Sequence, residues 1–265
     1  QGWSGATNKN TVGFGPGKGG TQGGAGHGGK GGGPNGGAAY GSASNPVTLG
    51  SGGGAGDNSV NTSARGGGAL RINATGKVAV NGSLLANGGN GTANHGGGGS
   101  GGSVNILCDT FWGTNGVIGA NGGTGANSTG GGGAGGRIAI RYNAVAQGAV
   151  PVPGVTVSAN GGLGGSTVTY TRRGDLGTIY FPDTRMLVSP AGFLLHSGVP
   201  VVPGIATWSL DTLVVSNAYF KLPDNTTLNV ANALVISGTH PELHQLAGSN
   251  VVINCGTLNL DKNAG

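Results

Sequence analysis

The sequence predicts an all-β fold, a parallel β-solenoid (β-helix) with glycine-rich, polyproline-II-like excursions. Three observations predict it. Glycine supplies 64 of the 265 residues, apolar residues are gathered into short runs rich in Val and Ile, and one pattern recurs about every 35 residues. Glu and Met each occur once, and Gly, Pro or β-branched residues interrupt every stretch long enough for a helix. A glycine-rich solenoid followed by a β-sandwich from residue 183 onward is the alternative.

The composition argues against disorder and against several binding classes. Hydrophobic residues make up 35% of the chain and charged residues 8%, whereas disordered chains combine high net charge with few β-branched residues. The formal charge of +5 is spread thinly, so no basic patch with interleaved aromatic residues points to nucleic acid. No apolar run reaches the length of about 18 residues that a membrane-spanning helix needs.

Residues 1–64 are predicted to form a glycine-rich extended segment. From Gly17 to Gly32 glycine occupies every third position, and a second set of triplets runs from Gly113 to Gly125. Three residues per turn is the period of polyproline II, in which glycine at every third residue lets extended chains pack side by side. We therefore expect a packed layer of extended glycine segments beside the solenoid, with a flexible linker as the alternative.

Residues 65–182 carry the repeat and are predicted to form solenoid coils of about 35 residues. The tetrapeptide Ala-Asn-Gly-Gly begins at 86, 120 and 159, and glycine runs lead into the strands of "GGGALRI", "GGSVNIL" and "GGRIAIRY". A fourth strand, "GTIYF", begins at 177, so that successive units are 35, 34 and about 42 residues apart. In each unit we expect two strands, for example "ALRINA" and "KVAVNGSLLA", and then a glycine-rich excursion.

Residues 183–265 are predicted to form a solenoid with shorter coils. The runs "TWSLDTLVVSNAYFKL", "TTLNVANALVISG" and "SNVVINCGTLNL" lack glycine excursions. Alternation within them, as at Leu228 and Val230, places apolar side chains on one face of each strand. Inward side chains of stacked coils would form columns of Val, Ile and Leu. Cys108 and Cys255 lie in apolar strands several coils apart and are expected to be unbridged thiols.

The segment "GGAGHGGKGGG" matches part of the sequence signature of a phosphate-binding loop. Gly24, Gly29 and Lys30 satisfy G-x-x-x-x-G-K. The next residue is Gly31, however, and not the Ser or Thr whose hydroxyl would hold magnesium. No apolar strand leads into the segment and no helix follows it. We therefore expect no nucleotide and no other cofactor.

Candidate catalytic and metal-binding residues are few. The densest polar cluster lies in "TRRGDLGTIYFPDTR" and contains Arg172, Arg173, Asp175, Asp183 and Arg185. Glycoside hydrolysis needs a pair of converging carboxyl groups, but such residues more often form solvated pairs in turns. The segment "HPELH" at 240–244 is not H-E-x-x-H, and its proline argues against a helix that would align the two imidazoles. We expect no catalytic site and no metal site.

Six asparagines lie in N-x-Ser/Thr sequences and are candidate glycosylation sites. Asn90 and Asn127 fall in excursion loops and Asn225 follows a proline in a turn, which makes these three the better acceptors. The other three candidates are Asn61, Asn73 and Asn81. The prediction applies if the source organism glycosylates its surface proteins.

The glycine-rich part of the chain resembles a known repeat region. The succession "GHGGKGG", "GGGALRI", "ANGG", "GGGGSGGSVNI", "GGGGAGGRIAIRY" and "GTIYF" is similar to a glycine-rich repeat that recurs in very large secreted or surface-attached proteins of bacteria, algae, oomycetes and plants. The resemblance covers about residues 13–182. Residues 183–265 resemble the β-helical repeats of adhesin-type surface proteins. The resemblance implies a structural role at the cell surface.

The function that we expect is that of a non-enzymatic extracellular structural protein, the subunit of a surface filament. An uncovered solenoid end presents unpaired backbone groups to another chain, and head-to-tail stacking of identical ends gives an open fibre. The expected partners are further copies of the chain, covalent N-glycans and cell-surface polysaccharide. A surface adhesin and a polysaccharide-active β-helix enzyme are the alternatives.

Overall fold

The computed structural model describes residues 1–56, 64–92, 95–127, 129–165, 172–216, 218–238, 242–245 and 250–262. The predicted all-β class is confirmed, because strands account for nearly all of the regular structure. The strands are Ala69–Asn73 (β1), Lys77–Ala79 (β2), Ser83–Leu85 (β3), Ser103–Leu107 (β4), Thr110–Trp112 (β5), Val117–Gly119 (β6), Arg137–Arg141 (β7), Thr156–Ser158 (β8), Thr178–Tyr180 (β9), His196–Ser197 (β10), Val199–Val201 (β11), Thr207–Ser216 (β12), Tyr219–Leu222 (β13), Thr227–Gly238 (β14), Glu242–Gln245 (β15) and Val252–Lys262 (β16), and one helix is Ala144–Gln147 (α1).

These strands form five parallel sheets. Their orders are β1-β4-β7-β9-β11 (the long sheet), β10-β8-β6-β3 (the second sheet), β12-β14-β16 (the C-terminal sheet), β13-β15 and β2-β5. In the long sheet Ala69, Ser103, Arg137 and Thr178 lie side by side in register, at steps of 34, 34 and 41 residues. These steps follow the repeat that the sequence predicts, so each unit adds one strand to the same sheet.

Each of the first two units contributes three strands, not the two that the sequence pattern predicts. The run "KVAVNGSLLA" is divided into β2 and β3 at Asn81 and Gly82, and the second unit is divided in the same way into β4, β5 and β6. The third unit replaces its middle strand with α1. The apolar alternation that continues across Asn81 and Gly82 conceals the turn between the two strands.

A glutamine side chain takes the place of a strand on the open edge of β5. Gln147 of α1 is fully buried. Its Nε2 donates to the carbonyl of Phe111 at 3.0 Å and its Oε1 accepts from the Phe111 N–H at 2.7 Å. The side-chain amide therefore satisfies the same two backbone groups that a neighbouring parallel strand would satisfy.

Gln147→Leu is expected to lower the free energy of unfolding by about 2–4 kcal/mol, because both backbone groups of Phe111 lose their partner inside the core. Urea denaturation followed by circular dichroism would measure the change. Val145→Ala is the matched control on the same helix, since Val145 is 87% exposed, and it should change stability by less than about 0.5 kcal/mol. Equal stability of the Gln147 variant and the wild type would contradict the assignment.

The C-terminal part also pairs in parallel. β14 lies between β12 and β16, with Thr227 beside Thr207 on one side and Val252 on the other. This pairing differs from the antiparallel pairing of a β-sandwich, so the sandwich alternative for residues 183–265 is wrong for the described strands. One cluster of buried apolar side chains extends from Val80 to Leu234, across the predicted boundary at residue 182. The division at residues 64 and 182 stays a prediction.

The glycine-rich segments form a hydrogen-bonded layer, as segment 96–102 shows. Its N–H groups donate to three neighbours in rotation: residues 97 and 100 to segment 51–54, residues 98 and 101 to segment 131–134, and residues 99 and 102 to segment 86–89. The N···O distances lie between 2.7 and 3.0 Å. The segment therefore has three hydrogen-bonding faces with a repeat of three residues.

Close backbone contacts explain why glycine in these segments is not confined to every third residue. A Cβ atom on Gly97, Gly98 or Gly99 would lie 2.0 Å from a carbonyl oxygen, in each case of a different neighbouring segment. These three successive positions therefore each exclude a side chain. The predicted triplets from Gly113 to Gly125 are not one extended segment, because β6 lies among them.

Candidate functional site: the open strand edges

The outer edge of β16 is open and displays apolar side chains. In the C-terminal sheet, columns of side chains pass from one strand to the next, and one column consists of Leu213, Leu234 and Leu258. Leu213 and Leu234 are at most 1% exposed, whereas Leu258 is 53% exposed and Leu260 is 66% exposed. The apolar columns therefore continue to the edge of the sheet, where no described strand covers them.

The strands of the first repeat unit have open edges as well. In the described part of the chain β1, β2 and β3 each pair with one strand only, namely β4, β5 and β6. Leu85 on β3 is 60% exposed and Leu70 on β1 is 37% exposed. Because β1 and β16 each pair in parallel with their one neighbour, the open edge of each can accept a further parallel strand.

Two buried histidines, His27 and His196, join segments that are distant in the chain, and the hydrogen bonds of each define one neutral tautomer. A backbone carbonyl can only accept, so Nδ1–H of His27 donates to Gly101 at 2.7 Å and Nε2 accepts from the Thr48 hydroxyl at 2.8 Å. In His196 the roles are reversed: Nε2–H donates to the carbonyl of Met186 at 2.5 Å and Nδ1 accepts from the Val157 N–H at 3.2 Å. Burial lowers the pKa of each histidine to about 4.

The repeated Asn of Ala-Asn-Gly-Gly forms a ladder between units, a role that our sequence reasoning missed. The Oδ1 of Asn87 accepts from the N–H of Asn121, and the Oδ1 of Asn121 accepts from the N–H of Asn160, each at 2.8 Å. The Oδ1 of Asn160 accepts from the Ser197 hydroxyl at 2.6 Å. The signal was present in the sequence, because the same amide recurs at the same position of three successive units.

The candidate glycosylation sites differ in their local structure. Asn73, Asn81, Asn90, Asn127 and Asn225 are exposed, and Asn61 lies outside the described residues. The Oδ1 of Asn81 accepts from the Thr114 N–H at 3.0 Å and that of Asn90 accepts from the Thr124 N–H at 2.8 Å. These bonds give both asparagines a structural role between units. Glycosylation of any of the six stays a prediction.

The two carboxyl groups of the predicted polar cluster have separate hydrogen-bond partners. The carboxylate of Asp175 accepts from the Lys30 N–H at 3.3 Å. The carboxylate of Asp183 accepts from the Tyr142 hydroxyl at 2.6 Å and from the Arg185 N–H at 3.0 Å. Burial and this bond to Asp183 raise the pKa of Tyr142. These contacts hold loops in place and do not direct both carboxyl groups at one point.

The arginines of that cluster also serve structural contacts. The guanidinium of Arg173 lies 3.9 Å from the ring centroid of Tyr219, Arg172 donates to the carbonyl of Thr129, and Arg185 donates to the carbonyl of Ala144 at 3.1 Å. No group of three or more His, Cys, Asp or Glu side chains suited to a metal ion occurs among the residues that the structure describes. Within "HPELH", His240 and Pro241 lie outside them.

Residues 23–33, which match part of the phosphate-binding signature, belong to the glycine layer. The N–H groups of Gly24, Gly28 and Gly31 donate to the carbonyls of Gly32, Gly135 and Gly37 at 2.8–3.0 Å. They are therefore engaged with backbone and not directed at a ligand. Both cysteines are free thiols, and burial raises the pKa of Cys108 to about 11.

Comparison with known proteins gives no match to this chain among family models, curated proteins or solved structures. Helix α1 is a single turn, and no helix among the described residues is long and apolar enough to cross a bilayer. The functional interpretation therefore depends on the geometry of the open edges and of the glycine layer.

Proposed function

We propose that this chain is a non-enzymatic extracellular structural protein, the subunit of a cell-surface filament. Its parallel sheets are interpreted as a β-solenoid, and its glycine layer as packed polyproline-II-like helices. The in-register repeat of the long sheet supports the first interpretation, and the three-residue rotation of hydrogen bonds supports the second. The resemblance of residues 13–182 to glycine-rich regions of secreted and surface-attached proteins supports the extracellular location.

The observation that carries the proposal is the exposed apolar edge of β16. Ile253, Leu258 and Leu260 are 43–66% exposed, although of the residues beside them on β14 Leu228 and Leu234 are buried and Ile236 is half-buried. Covering each with a further strand would stabilise an assembly by about 1 kcal/mol per side chain. The edge of β1 on a second copy offers that strand with the correct polarity, and repetition of this contact gives an open fibre.

The double substitution Leu258→Lys with Leu260→Lys is expected to abolish assembly, because two ammonium groups would have to be buried between coils. Sedimentation velocity and negative-stain microscopy over a range of protein concentrations would measure it. Asn259→Lys is the matched control, since it adds charge to the same strand on the opposite face, and it should leave the fibres intact. Monodisperse wild-type particles at high concentration would contradict the proposal.

A further inference from the structure

The outer face of the long sheet carries three of the chain's seven arginines. Arg71 lies on β1, and Arg137 and Arg141 lie on β7. Arg71 is in register with Asn105 and Ala139, so alternation places it on the same face as Arg137 and Arg141 and opposite the buried Ile138 and Ile140. The four strands β1, β4, β7 and β9 contain no Asp or Glu. This face is cationic without an acidic side chain of its own.

The segment 40–49, which we call the strap, covers one part of this face. The Tyr40 carbonyl accepts from Nε of Arg137 at 2.7 Å, and the Thr48 carbonyl accepts from the Ser103 hydroxyl at 2.7 Å. Arg137 is buried beneath these contacts. The other part of the face remains open, and there Arg71, Asn73 and Leu107 are exposed and Arg141 is half-buried.

Among the described residues, the two arginines of the open part have neutral partners only, and they have unused donors. Arg141 donates through one terminal nitrogen to the side-chain oxygens of Asn105 at 3.1 Å and Asn45 at 3.4 Å, and its Nε is buried with no hydrogen-bond partner. The Nε of Arg71 donates to Asn73 at 3.4 Å, the one hydrogen bond of this side chain to the described residues. A guanidinium binds a carboxylate through two parallel hydrogen bonds, and both arginines retain donors for it.

The two arginines lie along one open path across the sheet. Their Cα atoms are separated by two strand spacings and two residues along the strand, which is about 12 Å. The guanidinium of Arg141 reaches Asn105, which lies beside Arg71, so an extended chain with repeated carboxylates can follow this path and contact both arginines. We propose that the open face formed by Arg71, Asn73, Leu107 and Arg141 binds an acidic polysaccharide through its carboxylate groups. Arg71 and Asn73 lie on β1, whose open edge would join copies of the chain, but their side chains project from the face of the sheet and not along that edge.

Binding to immobilised polygalacturonate, with dextran as the neutral polymer, tests the proposal. We expect binding to polygalacturonate at low ionic strength, its loss at about 0.5 M NaCl, and no binding to dextran. The double variant Arg71→Gln with Arg141→Gln should weaken binding at least about tenfold. Lys9→Gln with Lys18→Gln removes the same charge from exposed positions elsewhere and should change binding less than about twofold.

Equal binding to dextran, or equal weakening in the lysine control, would overturn the proposal, because the attraction would then be unspecific or due to net charge. Arg71 is exposed, so Arg71→Gln alone should fold normally. It should weaken binding about threefold even if the partly buried Arg141 cannot be replaced. Unchanged binding in a folded Arg71→Gln variant would also overturn it. Filament formation should be unchanged in a folded Arg141→Gln variant, because β7 lies inside the long sheet and away from its open edge, which separates this test from that of assembly.

Discussion

Gly123→Ala is expected to prevent native folding or to lower the free energy of unfolding by at least about 3–5 kcal/mol, beyond the usual cost of overpacking. The added Cβ would lie 1.8 Å from the carbonyl oxygen of Gly89 and 2.3 Å from its carbonyl carbon. Both are backbone atoms in a hydrogen-bonded segment, so neither can move as a flexible side chain could. The Gly123 N–H also donates to Gly99 at 2.9 Å, and displacement of the segment would break that bond.

Gly82→Ala is the matched control for this prediction. A Cβ on Gly82 meets no atom within 4 Å, so the substitution should change the free energy of unfolding by less than about 1 kcal/mol. Thermal unfolding followed by circular dichroism, with soluble yield as a second readout, would compare the two variants. If Gly123→Ala unfolded at the wild-type temperature, the packed glycine layer would be refuted.

Acidification is expected to destabilise the fold through its two buried histidines. Each pKa is lowered from 6.5 to about 4 by burial, and the nearby Arg137 lowers that of His27 further. The unfolded chain therefore binds protons that the folded chain does not between these two values. Stability is complete above pH 6.5 and falls as the pH decreases towards 4, by about 3 kcal/mol for each imidazole at full loss.

Protonation of His196 should destabilise the fold more than protonation of His27, because it disrupts the local hydrogen bonds more. Protonation would place a second N–H on Nδ1, which faces the Val157 N–H, and two donors cannot form a hydrogen bond. At His27 the Thr48 hydroxyl can rotate and accept instead. Urea denaturation at pH 7.5 and pH 4.5 would measure the loss. In the double variant His27→Gln with His196→Gln the difference between the two pH values should be several kcal/mol smaller, and an unchanged difference would refute this account.

The sequence predicted the repeat, the strands that carry it and the all-β class. Short runs of β-branched residues and a near absence of helix formers leave little other local structure available, and the recurrence every 34 to 41 residues defines which strands pair. The glycine triplets from Gly17 to Gly32 correctly suggested close packing of extended backbone. They underestimated it, because the three successive residues Gly97, Gly98 and Gly99 each contact a different neighbouring segment and each exclude a side chain.

The sequence implies that the sheets end in open strand edges, but it does not show which strands form those edges. Whether Leu258 and Leu260 are core or surface depends on what covers β16, and the sequence of β16 resembles that of the buried β14. The arginine face and the strap were missed because their residues are far apart in the chain: Arg71, Arg137 and Tyr40 converge only when the long sheet and the glycine layer are assembled.

By itself the sequence determined the period, the strand-forming runs and the places where no side chain is tolerated, since each of these follows from local sterics and residue spacing. Only the tertiary structure decided that Gln147 completes a strand edge, that Asn87, Asn121 and Asn160 form a ladder, and which histidine nitrogen carries the proton. These contacts join residues that are 10 to 74 positions apart in the chain, and which pairs meet depends on how the repeat units lie against one another.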